Sequence, residues 1–501
     1  MRFAEGQFIN LALGARELPW PRHTELLGWP SGASFAPLLW PWLPVARLLG
    51  PTLAFNGLFL LFPMFNASVG YGCARRLGLD PWPAFAAGGL LAWNAWGLNT
   101  TANGQLEQVP IAGAAWVWTA VWQALDPRSP PRSSTLHAGF AVLAVGLAAP
   151  HVGLAALVGL AALVPLRLWE GGRPTGDPAR IVQVGGTLLV VGVAAGLVHA
   201  WHAPQFGEAV SVFAPKGAVT SNGPEPALAG IFEVATPARL FLPPRPPAPQ
   251  AQGVVHCAYL GWVPLLAALA AAFTGGARRW LLVAALLVIA SLGDHLELGA
   301  LRVPLPAAAY GALSDALSRS ANPYRLVSGA VVALSLAAAA VVRGPRTGIA
   351  LVAAAWVEVV ATRTRGIPLA HQPWAPLPSS VALSAGAGAV LDLPLASPRC
   401  PDVGWHYATE AMWHQRPVPM TLRFDWRAWG TLEPLAHQLQ GALSAPNCAT
   451  AFPELVKSGG FTTIVLHGEA RCAAEPLTRR CLDAAYGPPM TGGPVAWWVI
   501  P

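Results

Sequence analysis

Long apolar stretches separated by short polar ones fill most of the first 360 residues. Ten apolar cores stand out: Thr52–Tyr71, Pro83–Leu98, Val109–Ala124, His137–Ala149, Val152–Leu166, Ile181–Ala200, Tyr259–Phe273, Trp280–Leu292, Leu326–Val342 and Gly348–Val360. A membrane span needs about 20 apolar residues, so the shorter cores must extend or tilt. In lipid no water satisfies the backbone, and each core is expected to be helical. Between the second and third cores lies NTTANGQLEQ, Asn99–Gln108, a polar island with Trp- and Ala-rich flanks. It reads as a short turn at a membrane surface.

From about Gly366 the pattern changes. Long apolar runs stop and charge rises. GAVLDLPL, FTTIVLHGE and VAWWVIP read as short buried strands. FPELVKSGG reads as a helix ended by glycine, and Glu475–Ala485 as a second helix. The expected fold class is therefore membrane all-α: a polytopic bundle of about ten transmembrane helices with a small C-terminal α/β domain outside the membrane. The expected divisions are 1–50, an outer segment with an interfacial helix over Phe35–Leu49; 51–365, the transmembrane domain; and 366–501, the α/β domain.

Composition supports this. Of 501 residues, 54% are hydrophobic and 11% charged, and mean hydropathy is +0.46. A soluble domain carries about 25% charged residues. The net charge of +7 comes almost wholly from arginine, since Lys216 and Lys457 are the only lysines. No long basic tract is present, which argues against a nucleic-acid partner.

The arginines fall in alternate loops. Arg75 and Arg76, Arg128 and Arg132, Arg167, Arg173 and Arg180, Arg278 and Arg279, and Arg343 and Arg346 form one set. The intervening short loops, Asn99–Gln108 and Pro150–His151, hold none. The positive-inside rule puts the first set in the cytoplasm. Outside then lie Asn99–Gln108, Pro150–His151, Trp201–Ala258, Gly293–Pro323 and everything after Ala361. The segment before the first core is also outside by this count, with no basic n-region and apolar h-region to deliver it, so a further helix upstream is expected. A bacterial cytoplasmic membrane with an extracytoplasmic C-terminal domain is the location this implies.

Several outer residues can carry chemistry. Asn103, Gln105 and Glu107 on the polar island and His151 on the next outer turn lie on one membrane face and can converge on a polar ligand. Asp294 and His295 follow a core end and can contact substrate or a divalent cation. Arg319 and Arg325, in SRSANPYRLVSGA, stand at the outer entrance of a span, against the positive-inside bias. Guanidinium matches phosphate geometry and stays charged. The 22 tryptophans read as interfacial anchors, and FLPPRPPAPQAQG as an external linker. Four cysteines, Cys400, Cys448, Cys472 and Cys481, fall in the C-terminal portion. An oxidising compartment favours two disulfides, and of three pairings Cys472–Cys481 with Cys400–Cys448 is the expected one. No CxxC or HExxH spacing marks a zinc site.

The segments PTLAFNGLFLLFPMFNASVGYGCARRLGLDPWPAFAAGGLLAWNAWGLNTTANGQLEQVPIAGAAWVW, CAYLGWVPLLAALAAAF and SLGDHLELGALRVPLPAAAYGALSDALSRSANPYRLVSGAVVALSLAAAAVV resemble bacterial membrane proteins related to the GT-C glycosyltransferases, the YfhO-like and oligosaccharyltransferase-like group. The likeness covers most of Glu5–Val360, and the tail with VLDLPL and TTIVLHG resembles the soluble tail of such proteins. It implies transfer of a sugar from a polyprenyl-phosphate donor to an acceptor at the outer membrane face, with lipid-linked sugar and membrane lipid as partners. Members carry an acidic residue in the first outer loop, which corresponds here to Glu5 in FAEGQFINLAL, expected as the catalytic base. A transporter or flippase-like role, with Glu358 as its intramembrane charge, and a non-catalytic envelope assembly role stay open beside it.

Overall fold

The computed structural model describes residues 42–102, 108–169, 177–213, 237–243, 258–273, 276–292, 295–298, 301–305, 323–363, 382–395, 414, 416, 433–467, 476–492 and 495–500. Among them are α1 (Trp42–Leu49), α2 (Pro51–Arg76), α3 (Pro81–Ala92), α4 (Ala95–Ala102), α5 (Ala112–Ala124), α6 (Pro131–Ala148), α7 (Pro150–Leu168), α8 (Pro178–Phe213), α9 (Pro237–Phe241), α10 (Trp262–Ala271) and α11 (Arg278–Ser291). The hairpin β1 (His295–Leu298) and β2 (Leu301–Pro304) follows, then a 3-10 turn, Pro323–Leu326, leading into α12 (Val327–Ala338) and α13 (Pro345–Thr362). Prolines stand at the first turns of α2, α3, α6, α7 and α13, where a missing N–H costs nothing.

Among the described residues five segments are long and apolar enough to cross a membrane: Thr52–Arg76, His151–Leu168, Pro178–Ala195, Tyr324–Val341 and Pro345–Thr362. The protein is a multi-pass membrane protein. Among the described residues the apolar cores do not all run as single unbroken helices with the expected ends. The second core breaks at Asn94, whose Nδ2 donates to Leu91 O at 2.7 Å and whose Oδ1 accepts from Gly97 N at 2.6 Å. One side chain thus ends α3 and starts α4. The sixth core continues as helix to Phe213, into the stretch expected to be an outer loop.

Helix Tyr324–Val341 is the hub, with 83% of its residues buried, against 17% for Pro178–Ala195 and Pro345–Thr362. One core cluster joins residues from Cys73 to Ala355 around it. Small residues let α2 and α3 approach closely: a Cβ on Gly88 would lie 2.5 Å from Ala67 O. In lipid, backbone contact through glycine replaces the hydrophobic drive for association. Asn66 on α2 fastens α5, donating to Val109 O at 2.9 Å and accepting from Ala112 N at 3.1 Å.

The C-terminal elements form a second core around a four-stranded sheet, β3 (Ala389–Leu393), β4 (Phe461–His467), β5 (Met490–Gly492) and β6 (Val495–Val499), in the order β3-β4-β6-β5. β3 and β4 are parallel and the other pairs antiparallel. Helices α14 (Glu433–Ser444), α15 (Cys448–Ser458) and α16 (Pro476–Tyr486) complete it. The disulfide expectation is corrected here: Cys481 on α16 bonds Cys448 at the start of α15, with Cα atoms 5.8 Å apart. Helix packing, not nearness in sequence, chose the partner. Cys400 and Cys472 lie outside the described residues.

Candidate functional site at one end of the bundle

Four chain segments meet here: the start of α4, Gln108 ahead of α5, the start of α7 and the 3-10 turn that enters α12. Nη1 of Arg325 lies 3.0 Å from Nδ1 of His151 and contacts Nε2 as well. Guanidinium has only donors, so the imidazole accepts and is neutral in this contact. Tyr324, 2% exposed, stacks on Trp96, 1% exposed, at 5.7 Å between ring centroids. The Trp96 indole N–H donates to Gln108 O at 3.3 Å. Ser328 donates to Arg325 O at 2.7 Å and pins the turn that carries the arginine. Two rings thus make a rigid floor, and the half-buried Arg325 guanidinium stands beside it, 5.9 Å from the Tyr324 ring centroid.

Two outer residues expected from sequence, His151 and Arg325, are therefore brought together across 174 positions. Arg325 has no carboxylate partner among the described residues; its side-chain contacts are His151 and the Tyr324 hydroxyl. Glu5, Asn103, Gln105, Glu107, Asp294 and Arg319 lie outside the described residues. His295 is the first residue of β1 and pairs with Pro304. Among the described residues no three His, Cys, Asp or Glu groups are spaced to hold a metal.

The polar island is not a solvated turn at its start. Asn99, Thr100 and Thr101 belong to α4 and are buried, and Gln108 is 1% exposed. Asn99 Nδ2 donates to Ala95 O at 2.9 Å, four residues back, so helix and amide satisfy each other.

Beside this site Glu358 makes a contact that sequence alone missed. Its Oε1 accepts from the Tyr259 hydroxyl at 2.5 Å and Trp262 N at 2.6 Å, and its Oε2 from Val263 N at 3.0 Å. A carboxylate on α13 thereby caps the N-terminus of α10, where unpaired N–H groups and the helix dipole favour negative charge. Gly261, at φ 85°, turns the chain into that helix.

The C-terminal sheet holds a second polar cluster. His467 Nε2 lies 2.8 Å from Asp392 Oδ1, both side chains 3% exposed. Val465 and Leu466 face Asp392 and Leu393 in the parallel register, which puts the two residues at the carboxyl ends of β3 and β4. His414 is buried and accepts from Arg416 N at 3.0 Å on Nδ1. Burial pulls its pKa down to about 4; Asp392 opposes this, and Arg416 and His467 add to it. Arg416 is a staple: Nε donates to Gly388 O at 3.0 Å, and Nη2 to Ala387 O at 2.9 Å and to the Thr462 and Thr463 hydroxyls at 2.7 Å.

No family model and no curated protein matches the chain. Among solved structures, the archaeal oligosaccharyltransferase AglB from Archaeoglobus fulgidus, in complex with an inhibitory peptide and a dolichol-phosphate, is similar at 10% identity and a TM-score of 0.41. The similarity covers 92% of this chain, which spans 65% of the length of that one.

Proposed function

We propose that the protein transfers a sugar from a polyprenyl-phosphate donor to an acceptor at the bundle end that carries Arg325 and His151. The observation that carries this reading is Arg325 itself, a half-buried guanidinium with no carboxylate partner among the described residues, set on an aromatic floor beside a neutral imidazole. A phosphate completes such a group, because its oxygens match the guanidinium fork and neutralise its charge. A departing polyprenyl phosphate is also the species whose charge grows during transfer. The sequence resemblance to GT-C enzymes supplies the other parts: Glu5 as base, Asn103, Gln105, Glu107 and Arg319 around the sugar, and Asp294 with His295 toward a divalent cation. In this reading residues 51–365 are the transmembrane domain, 366–501 an extracytoplasmic domain of a bacterial cytoplasmic membrane protein, and the Arg325 end faces outward. Glu358, the main mid-span charge that a transport reading could use, spends its oxygens on Tyr259 and α10.

The test is transfer of labelled hexose from a synthetic polyprenyl-phosphate hexose panel by the full chain in liposomes. Arg325→Gln removes one or two charged hydrogen bonds of about 1.5–3 kcal/mol each, a loss of tenfold to more than a hundredfold in kcat/KM. Transfer undiminished in Arg325→Gln would overturn the assignment of this residue. Donor-dependent transfer absent across the panel would overturn the function.

A further inference from the structure

At the opposite, arginine-bearing end, α5 and α6, α7 and α8, and α10 and α11 are joined, and three guanidiniums from different segments gather around the end of α5. Arg167 Cζ lies 4.8 Å and Arg279 Cζ 4.6 Å from the centroid of the same Trp122 ring. The two cations are therefore within about 9 Å of each other. Asp126 pairs with Arg167 at 2.9 Å. Arg180, 7% exposed, is tied down by Ala124 O at 2.5 Å, Ser129 O at 2.9 Å and Ser134 Oγ at 3.2 Å, and so braces the end of α5 under Trp122. Arg278, exposed, donates to Ala272 O at 3.1 Å beside Arg279.

An apolar track leads to this cluster. Arg278, Leu282, Ala285 and Ile289 are exposed at helical spacing along one face of α11, with Leu282 at 50% and Ile289 at 42%. Leu266, Leu269 and Phe273 are exposed on α10, whose end is joined to the same arginines, and Trp169 is exposed at the end of α7.

We propose that this end binds the phosphate of an anionic lipid headgroup between Arg167 and Arg279, with the acyl chains on the α10–α11 track. Asp126 offsets part of this charge, and a phosphate oxygen reaching each guanidinium at about 2.8 Å adds a charge-assisted hydrogen bond to both. Both guanidiniums rest against Trp122, and Arg279 lies 5.4 Å from the Trp280 ring centroid as well, so aromatic rings localise the two charges rather than leaving a diffuse positive surface. The apolar track selects a lipid over a free anion.

The experiment measures lipid protection of the full-length protein in nanodiscs, comparing phosphatidylglycerol in phosphatidylcholine with phosphatidylcholine alone, and phosphatidylcholine plus inorganic phosphate. Retained lipid is counted by native mass spectrometry. Phosphatidylglycerol is expected to be retained preferentially, and Arg279→Gln and Arg167→Gln each to weaken retention about fivefold, the worth of one arginine at a charged membrane surface. Arg279→Lys keeps the charge and loses the planar stacking, so partial loss is expected in a variant that preserves the ion. Arg346→Gln removes one exposed charge from the same end, away from Trp122, and is expected to change retention far less. Equal loss in Arg346→Gln and Arg279→Gln would show general surface charge and overturn the site. Protection by inorganic phosphate equal to that by phosphatidylglycerol would overturn the lipid as its occupant.

Discussion

Removing the Glu358 carboxylate should unfasten α10 from α13. The structure allows the size of the effect to be worked out. Three donors converge on the carboxylate, two of them the backbone N–H groups of Trp262 and Val263 at the first turn of α10. Hydrogen bonds to a charged group contribute about 1.5–3 kcal/mol each, and N–H groups at a helix start in lipid find no water in exchange. Glu358→Ala, which removes all three, should therefore cost about 4.5–9 kcal/mol. Glu358→Gln separates the contributions. Its amide oxygen can occupy the Oε1 position and keep the Tyr259 and Trp262 donors, but its NH2 then faces Val263 N–H, donor against donor. About 2–3 kcal/mol is expected for it. Tyr259→Phe alone should cost about 1.5–3 kcal/mol, and much less in the Glu358→Ala background, where the hydroxyl has already lost its acceptor.

The assay is thermal unfolding of the detergent-solubilised full-length protein, followed by loss of the monodisperse peak in chromatography. With roughly 2–4 °C per kcal/mol, Glu358→Gln should melt about 4–12 °C below the parent. The decisive quantity is the coupling in the double-mutant cycle. Additive effects of Tyr259→Phe and Glu358→Ala, or a Glu358→Ala protein melting with the parent, would refute the clamp.

Other consequences follow from the same geometry. Gly88→Val should separate α2 from α3, since even a Cβ would meet Ala67 O at 2.5 Å; loss of folded protein in membranes is the expected result, with Gly72→Ala, where nothing lies within 4 Å, as the tolerated control. The C-terminal sheet should weaken in acid. His414 has a folded pKa of about 4 against an ordinary 6.5, so the unfolded chain takes the proton first; stability is full above 6.5 and falls as pH drops toward 4, by up to about 3 kcal/mol. Hydrogen exchange of Phe461–His467 at pH 7 and pH 4.5 reads this, and His414→Gln should flatten the difference. Peptide mapping without reduction should recover a Cys448–Cys481 link, and Cys481→Ser should cost about 4 kcal/mol for a 33-residue closed loop; a Cys472–Cys481 peptide would contradict the fold of this region.

What could be read from sequence followed from how local each signal was. The strands β3, β4 and β6 and the helices α15 and α16 show in short patterns because each buries its own apolar face. Arg325 was legible because it stands at the outer entrance of an apolar core, against the positive-inside bias, and His151 because it opens an apolar core. Their contact was not, since it depends on the 3-10 turn at Pro323–Leu326 swinging the guanidinium onto the start of α7. The polar island misled for a physical reason. Polarity in a short window suggests water, whereas Asn99 is satisfied by its own helix and Gln108 is buried, its backbone oxygen accepting from the Trp96 indole. Glu358 and Tyr259 are 99 positions apart, and Asp392 and His467 are 75 apart. Each pair exists only through packing or strand register, which no short window contains. The cysteine pairing failed for the same reason.

How each guanidinium uses its donors separates structural arginines from the one assigned to substrate. An arginine carries five N–H groups in a fixed fork. Arg416 gives its own to two carbonyls and two hydroxyls at the start of β3 and β4. Arg180 gives its own to Ala124 O and Ser129 O, the first at the negative end of α5, and to Ser134. In both cases the protein supplies acceptors on more than one nitrogen, and the side chain is part of the frame. Arg325 meets a neutral imidazole through Nη1 and a phenol oxygen 3.5 Å from Nε, a distance at which that bond is weak. Charge remains, geometry is held by Ser328 and the Trp96–Tyr324 stack, and acceptors are few. Holding a cation in that condition costs stability, which a frame residue has no reason to retain and an anion-binding residue does. Arg325→Met is therefore informative beyond activity: it should leave the melting temperature unchanged or raise it, whereas Arg180→Met and Arg416→Met should lower theirs. A fall for Arg325→Met as large as for the other two would place Arg325 among the frame residues and leave the phosphate assignment without its support.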